Sequence, residues 1–243
     1  MSDLNARLQS DYAELQAKQK SAATRQASIR RLQRLLAPHL PLQRQAALDV
    51  GAGQGELVEA LLRLGFAECN GVELSPSQVQ LAQFHGCQAV RQGEGGQALA
   101  ELPDASLDLV VCFDVFEHLS HDTCAQWFAQ ISRVLKPGGR LIGHVPNGLS
   151  PFAGAVYWGD LTHLWCPVPE SIQVFCRSSG LRWLGAYENI GASPGLKGRL
   201  RAFAWRGVRA VLAVASTVET GRSAFGLPWS RTFLFVVEKT KHG

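Results

Sequence analysis

The sequence predicts a doubly wound α/β fold on a mostly parallel sheet, and three observations carry that expectation. Short apolar runs suited to buried strands alternate with helical stretches over residues 46–145. A glycine-dense turn, Gly51-Ala52-Gly53-Gln54-Gly55, directly follows the first of those runs. The chain has 243 residues and 46% hydrophobic content, enough for one large domain with its own core. Strands that alternate with helices are joined by right-handed crossovers, which produces a parallel sheet.

The elements follow in order. Residues 2–36 contain no proline or glycine, and Leu4, Leu8, Tyr12 and Leu15, then Ile29, Leu32 and Leu36, recur as on helices. Pro38 and Pro41 end this stretch, which separates a helical extension, 1–40, from the main domain, 41–243. A strand over 46–50 opens into the glycine turn. Further strands are expected near 69–73, 87–90, 108–113 and 140–145, with helices at 56–64, 76–84 and 121–135. Pro137-Gly138-Gly139 ends the last of these helices and turns the chain into a strand. After Pro146 the rhythm breaks into an irregular aromatic insertion, 147–167. A helix at 169–179 and strands at 181–187 and 232–238 complete the domain, with a helical insertion, 190–228, before the last strand.

Composition narrows the function classes. Six cysteines occur without any C-x-x-C pair, so neither a zinc ribbon nor a redox motif is indicated, and no metal ligand set is expected. Most lie in apolar runs, as inert core thiols of a reducing compartment do. Residues 1–20 lack the apolar core of a signal peptide, and no apolar run is long enough to span a bilayer; a cytoplasmic location is expected. The net charge of +4 is mild for this length.

The glycine turn is the strongest chemical signal, because backbone amides there approach a ligand where a side chain would collide. A dinucleotide-binding G-x-G-x-x-G would put its third glycine at Glu56; here it falls at Gly55. Alone, such a turn also serves as a plain strand-to-helix connection. Glu73 ends the next strand at the carboxyl edge of the sheet, where a carboxylate accepts both hydroxyls of a ribose.

The run Leu48-Asp49-Val50-Gly51-Ala52-Gly53-Gln54-Gly55 resembles the first motif of class I S-adenosylmethionine-dependent methyltransferases. Gly71-Val72-Glu73-Leu74-Ser75, Phe113-Asp114-Val115-Phe116-Glu117-His118-Leu119 and Leu135-Lys136-Pro137-Gly138-Gly139-Arg140-Leu141 fit the same family in the same order. The resemblance covers roughly residues 46 to 187 and implies a Rossmann-like, mostly parallel seven-stranded sheet with S-adenosylmethionine as cofactor. It places Gly51 and Gly53 under the methionine part, Asp49 near its ammonium and Glu73 at the ribose, with Ala52, Gly55 and Leu74 also among the cofactor-binding residues. Glu94 falls where the family has an acid beside the adenine amine. Phe113 and Asp114 line the pocket. In relatives, Glu117-His118 caps and positions the following helix; the residue types also suit an acid/base pair.

Methyl transfer from a sulfonium depends chiefly on alignment, but an oxygen acceptor must also lose its proton. The candidate base is His163 in Tyr157-Trp158-Gly159-Asp160-Leu161-Thr162-His163, with Asp160 three residues earlier to orient the ring. This segment resembles the Asp-x-Thr-His motif of methyltransferases of ubiquinone and polysaccharide biosynthesis. The other reading is a loop knot in which Asp160 caps the Thr162 or His163 amides. His144 and Asn147 either face the acceptor or are ordinary loop residues.

No acid occurs between Glu188 and Glu219, whereas Lys197, Arg199, Arg201, Arg206 and Arg209 do. On a helical projection of 196–215, Arg199, Arg206 and Arg209 lie opposite an apolar stripe containing Leu200, Phe203, Val211 and Leu212. Such a helix suits peripheral contact with the inner face of a membrane or a lipid-linked acceptor; it equally suits a lid or a helix packed on the sheet. The expected function is O-methylation of a small-molecule acceptor of sugar, glycan or isoprenoid-phenol type. RNA or protein methylation is the alternative enzyme reading, although no Asn/Asp-Pro-Pro-aromatic motif occurs and a nucleic-acid partner is not expected. A cofactor-binding scaffold without turnover is the non-enzymatic reading.

Overall fold

The structure, a computed structural model, describes residues 18–189 and 195–240. The expected helical spacing of Leu4, Leu8, Tyr12 and Leu15 lies outside the described residues. A seven-stranded sheet has the order β3-β2-β1-β4-β5-β7-β6. Its strands are β1 (Ala46–Val50), β2 (Glu68–Glu73), β3 (Val90–Gln92), β4 (Leu107–Phe113), β5 (Leu135–Pro146), β6 (Leu181–Glu188) and β7 (Thr232–Lys239). The pairs from β3 through β5 are parallel, and β7 runs antiparallel to both β5 and β6. This is the doubly wound, mostly parallel sheet that the alternating pattern predicts.

The helices are α1 (Ala22–Leu36), α2 (Glu56–Arg63), α3 (Pro76–Phe84), α4 (Gly95–Glu101), α5 (His121–Val134), α6 (Gly154–Tyr157), α7 (Pro169–Ser178) and α8 (Leu196–Thr220). Serines start three of them: Ser21, Ser75 and Ser120 accept the amides of Thr24, Gln78 and Thr123. Side chains on alternate strand positions point to opposite faces, so the central strands feed two cores. Val110, Cys112, Leu141, Phe233 and Phe235 pack with Phe116 and Phe128 on one face. Leu109, Val111, Ile142, Leu234 and Val236 pack with Leu36, Leu57 and Leu61 on the other.

Several boundaries differ from expectation. The third strand begins at Val90, after a helix end that the apolar residues near 87–90 obscure. Helix α4 starts at once behind Glu94, and β5 begins at Leu135, its pairing with β4 irregular where Pro137-Gly138-Gly139 bends the chain. Within 147–167 one short helix, α6, forms.

Helix α8 departs most from its projection. Leu196, Leu200, Phe203, Val211, Val214 and Val218 are exposed along one line, spaced by three or four residues with Gly207 completing the gap. Trp205, Leu212 and Ala213 instead turn inward against Ala224, Leu227 and Trp229. The expected single stripe is therefore two apolar faces. Arg209 is not on the outer polar face either, because it approaches Glu188 at 3.8 Å. Glu188 also accepts the Trp205 indole N–H and the Trp229 amide, both at 2.9 Å, and so anchors the helix to the end of β6.

Candidate active site

The site lies at the carboxyl edge of the parallel strands, where the first crossing of the sheet order leaves a crevice between β1 and β4. Beyond β1, Gly51, Gly53 and Gly55 all adopt positive φ, and the Gly51 and Ala52 amides both donate to the Val72 carbonyl at the end of β2. A Cβ on Gly53 would meet nothing within 4 Å, so its face of the loop opens on space, whereas one on Gly51 would strike Val115 at 2.6 Å. The loop is thus tied down on its strand side and open on its ligand side.

Asp49 sits under this loop, fully buried, and neither carboxylate oxygen has a hydrogen-bond partner among the described residues. Burial first, and the nearby Glu73 charge second, push its pKa up to about 8. A buried, unpartnered carboxylate calls for a cationic donor from outside the chain. Glu73 is half-buried; its Oε2 accepts the Gly53 amide and its Oε1 the Ser75 amide, each at 2.8 Å. A carboxylate has about four acceptor positions, so capacity for ribose hydroxyls remains. Leu74 beside it is exposed. These residues fit the cofactor that the family resemblance implies.

Glu94 has a local duty that its motif position did not announce. It is the N-cap of α4, accepting the Gly96 and Gln97 amides at 2.8 and 2.6 Å. Its longer side chain folds back over the helix start.

The opposite wall starts at the end of β4. Asp114 holds φ +55, a conformation uncommon outside glycine that Asp adopts more readily than most residues. Its Oδ1 lies 2.7 Å from His144 Nδ1, and Phe113 stacks on the His144 ring. Desolvation opposes ionisation of Asp114, but the charge and hydrogen bond of His144 outweigh it and hold the carboxyl below its ordinary range. The other ring nitrogen of His144 lies 2.9 Å from Asn189 Nδ2, whose Oδ1 in turn accepts from Arg31. Asn147, the other residue expected near the acceptor, is fully buried and spent internally: it donates to the Pro228 and Ser230 carbonyls and accepts the Leu149 amide.

Glu117 and His118 lie on a single 3-10 turn, Phe116–His118. They do not cap α5, whose cap is Ser120. The turn instead docks the 147–167 insertion: the Glu117 carbonyl accepts the Leu164 amide, and the Trp165 indole donates to the Phe116 and Leu119 carbonyls. Asp160, also buried, accepts the Thr162 amide at 2.9 Å and its hydroxyl at 2.6 Å. Having given its proton to Asp160, the Thr162 hydroxyl accepts from His118 Nδ1 at 2.8 Å. The His163 side chain is 7% exposed, its Nδ1 donating to the Tyr157 carbonyl at 3.0 Å while its Nε2 stands 3.8 Å from Asp160 Oδ2. Tyr157, rather than Asp160, orients the ring, and the spacing of three residues is used for the Thr162 knot. The His118 and His163 rings are neighbours, tilted at 57° with centroids 4.7 Å apart. Burial, then the adjacent His163, lowers the His118 pKa; burial, then the Asp114 charge, raises that of Glu117 well above the carboxyl range.

Two features escaped the sequence reading. Arg25 of α1 is buried and donates to the Gln54 carbonyl at 2.7 Å and to Glu59 at 3.1 Å, bracing the glycine loop from behind. Asn189 joins β6 to the His144 ring. Neither belongs to a motif, and only the break of polarity by Arg25 on the buried side of α1 signals the first. The cysteines behave as expected: all six are free, and burial pushes the Cys124 and Cys176 thiols up to about 12.

Comparison with known proteins agrees with this geometry. A sequence profile described as a methyltransferase domain matches residues 48–143. The chain is 36% identical over 157 residues to a ubiquinone biosynthesis O-methyltransferase of Paracidovorax citrulli, covering 58% of this chain and 65% of that protein. For the protein of the same description from Methylococcus capsulatus, identity is 30% over 171 residues, covering 64% of this chain and 70% of the relative. The alignment spans 43% of a Xanthomonas oryzae relative, so the chain matches less than two thirds of several relatives' length. Among solved structures, a SAM-dependent methyltransferase from Archaeoglobus fulgidus superposes with a TM-score of 0.62 at 19% identity, covering 88% of this chain and 94% of that one. A putative methyltransferase from Haloferax volcanii, in complex with the Trm112 activator, gives 0.63 at 17% identity, covering 88% and 90%. With the motifs, the fold and these likenesses together, the chain belongs to the class I S-adenosylmethionine-dependent methyltransferases, whose cofactor is S-adenosylmethionine.

Proposed function

We propose that this protein is an O-methyltransferase acting on a small-molecule hydroxyl of isoprenoid-phenol, sugar or glycan type. When bound, S-adenosylmethionine would supply the methyl group, an O–CH3 bond replacing CH3–S, and the acceptor hydroxyl's proton would pass to an imidazole Nε2. The observation that carries the reading is the half-buried imidazole pair of His118, after β4, and His163, after β5, whose ring centroids lie 4.7 Å apart. His118 and His163 each commit Nδ1–H to a neighbour, which leaves each Nε2 lone pair free to act on an acceptor's proton. The names of the relatives, ubiquinone biosynthesis O-methyltransferases, favour the isoprenoid-phenol member of this range. Asp49, the 51–55 loop and Glu73 would hold the cofactor, with Phe113 and Asp114 between it and the acceptor. Glu94 would reach the adenine only through acceptor positions its capping role leaves open. The proposed division is a helical extension over 1–40 and a methyltransferase domain over 41–243, with 147–167 and 190–228 on the acceptor side.

The exposed apolar line of α8 favours a second element of this reading, a peripheral contact with an anionic membrane or a lipid-bearing acceptor. Arg199 and Arg206 border that line on one side, and Lys197 and Arg201 on the other. Among the described residues no helix is long and apolar enough to cross a membrane.

Formation of S-adenosylhomocysteine with prenylated phenols, monosaccharides, RNA and protein as separate acceptors tests the proposal. Turnover with a phenol or sugar supports it. Turnover only with RNA or protein assigns the alternative, and cofactor binding without turnover on any acceptor makes the chain a binding subunit.

A further inference from the structure

Polar groups at the start of α1 converge on the glycine loop and the first turns of α2. Arg25 is 4% exposed; its Nη1 donates to the Gln54 carbonyl at 2.7 Å, and its Nη2 meets Glu59 Oε2 at 3.1 Å. Lys20 reaches Glu56 at 2.6 Å, Ser28 donates to the same carboxylate at 3.3 Å, and Gln54 Nε2 donates to the Lys18 carbonyl. Gln26 accepts from Arg63 at 2.8 Å and ties α1 to α2 without touching the loop. A guanidinium removed from water is costly unless it is paired and hydrogen-bonded. Here Glu59 supplies the counter-charge, which leaves one arm of the fork aimed at a loop carbonyl.

That carbonyl lies between two glycines in the left-handed region, Gly53 at φ +50 and Gly55 at φ +76. Glycine adopts either sign of φ, so local sterics do not choose the orientation of the Gln54–Gly55 peptide. The earlier part of the loop is fastened elsewhere, the Gly51 and Ala52 amides by the Val72 carbonyl and the Gly53 amide by Glu73. The two ends of the Gln54–Gly55 peptide point opposite ways: the carbonyl to Arg25, the Gly55 amide to the Ala52 carbonyl at 2.9 Å. Gln54 is 6% exposed, so removing the guanidinium takes a donor from a carbonyl with little access to water. A rotation that sought a new donor would swing the Gly55 amide out of its turn.

We infer that Arg25 is a positioning residue for the cofactor, selecting the peptide orientation in which the 51–55 loop accepts S-adenosylmethionine. The inference rests on the proposed placement of the cofactor on that loop. Arg25 acts through the loop backbone, and α1 thereby becomes part of the cofactor site. A loop that holds its binding orientation for only a fraction of the time binds in proportion to that fraction. The loss therefore falls on cofactor affinity and on the Michaelis constant for S-adenosylmethionine. Turnover at saturating cofactor and the Michaelis constant for the acceptor stay those of the wild type. A residue that only holds α1 in place would lower the melting temperature and leave all of these constants alone.

Calorimetry with S-adenosylhomocysteine, joined to amide hydrogen exchange of the ligand-free protein, tests the assignment. Arg25→Met should weaken binding by about tenfold or more and speed exchange at the Gly55 amide. Arg25→Lys, which keeps the charge but not the fork, should fall between Arg25→Met and the wild type. Gln26→Ala, which loosens α1 from α2 without touching the loop, should bind as the wild type does. Wild-type affinity in a folded Arg25→Met protein overturns the inference, as does equal weakening by Gln26→Ala. If Arg25→Met fails to fold, Arg25→Lys decides: weaker binding supports the inference and wild-type affinity overturns it. Gly53→Val tells the two possible failures apart. If it also binds as the wild type does, the cofactor does not use the loop, and the placement falls together with the inference. If Gly53→Val weakens binding and the Arg25 variants do not, the inference alone falls.

Discussion

Glu73 Oε2 accepts the Gly53 N–H at 2.8 Å, so the carboxylate expected at the ribose also fastens the loop expected under the methionine. Its other oxygen holds the Ser75 amide at the start of α3. Glu73→Ala therefore removes ribose hydrogen bonds and a loop restraint together. Charge-assisted bonds are worth roughly 1.5–3 kcal/mol each, so S-adenosylhomocysteine affinity should fall by at least about tenfold. Glu73→Gln should be milder, because its amide oxygen still accepts one amide. Calorimetry reads both, and an unchanged dissociation constant in Glu73→Ala would remove the residue from the cofactor site.

Asp49 gives the cofactor site a pH dependence. Its pKa is raised from 3.8 to about 8 in the folded protein, by burial and then by Glu73. A carboxyl with a raised folded pKa contributes stability that is complete below the unfolded value and lost as pH rises through the folded one. The cofactor-free protein should thus lose stability between pH 4 and about 8, and Asp49→Asn should flatten that part of the curve. Binding of the ammonium draws the carboxyl into its charged form. At pH 7, calorimetry in buffers of different ionisation enthalpy should show release of about one proton per chain, absent in Asp49→Asn.

His163→Ala should lower turnover by roughly 10²–10⁴-fold, the range of a lost proton-transfer group, with S-adenosylhomocysteine affinity preserved. Asp160→Asn acts differently from a ring-orienting partner, because Asp160 bonds Thr162 and not His163. Its effect should be matched by Thr162→Val, since both loosen His118 Nδ1. Normal turnover in His163→Ala with a working acceptor would return the segment to a structural knot.

The placement of the candidate cofactor residues was legible because they are contiguous motifs at strand ends, where backbone geometry dictates residue type. Gly53 and Glu73 sit where pattern alone puts them. The acceptor half was not. Asp160 and His163 invite pairing by spacing, yet the chain folds so that Tyr157 takes the ring and Thr162 takes the acid. Asn147 looks like a site residue at a strand end but satisfies three backbone groups. Partners 44 residues apart, such as His118 and Thr162, leave no periodic trace. The fold was clearer than its edges: the near-continuous apolar runs of β4, β5 and β7 mark strands buried on both faces, whereas Gly95-Gly96 conceals the start of α4.

Helix α8 raises the last test. The apolar line Leu196, Leu200, Phe203, Val211, Val214 and Val218 is exposed, while the inner face is occupied by Trp205, Leu212 and Ala213. A helix packed on the sheet would bury its outer line; this one offers it to the surroundings, with basic side chains on both borders. Near an anionic surface each basic residue contributes about 1 kcal/mol, and burial of the apolar line adds to that. Co-sedimentation with vesicles should therefore require anionic lipid and fall with salt. Arg199→Glu with Arg206→Glu should weaken it by more than tenfold, as should Leu200→Asp with Phe203→Asp. Arg209→Glu should matter less for binding, because Arg209 leans inward on Glu188. Its loss would loosen the helix from β6 and show as lower thermal stability. If the wild type ignores anionic vesicles, yet the Leu200 and Phe203 changes raise the Michaelis constant for the acceptor, the outer face closes over substrate and the helix is a lid.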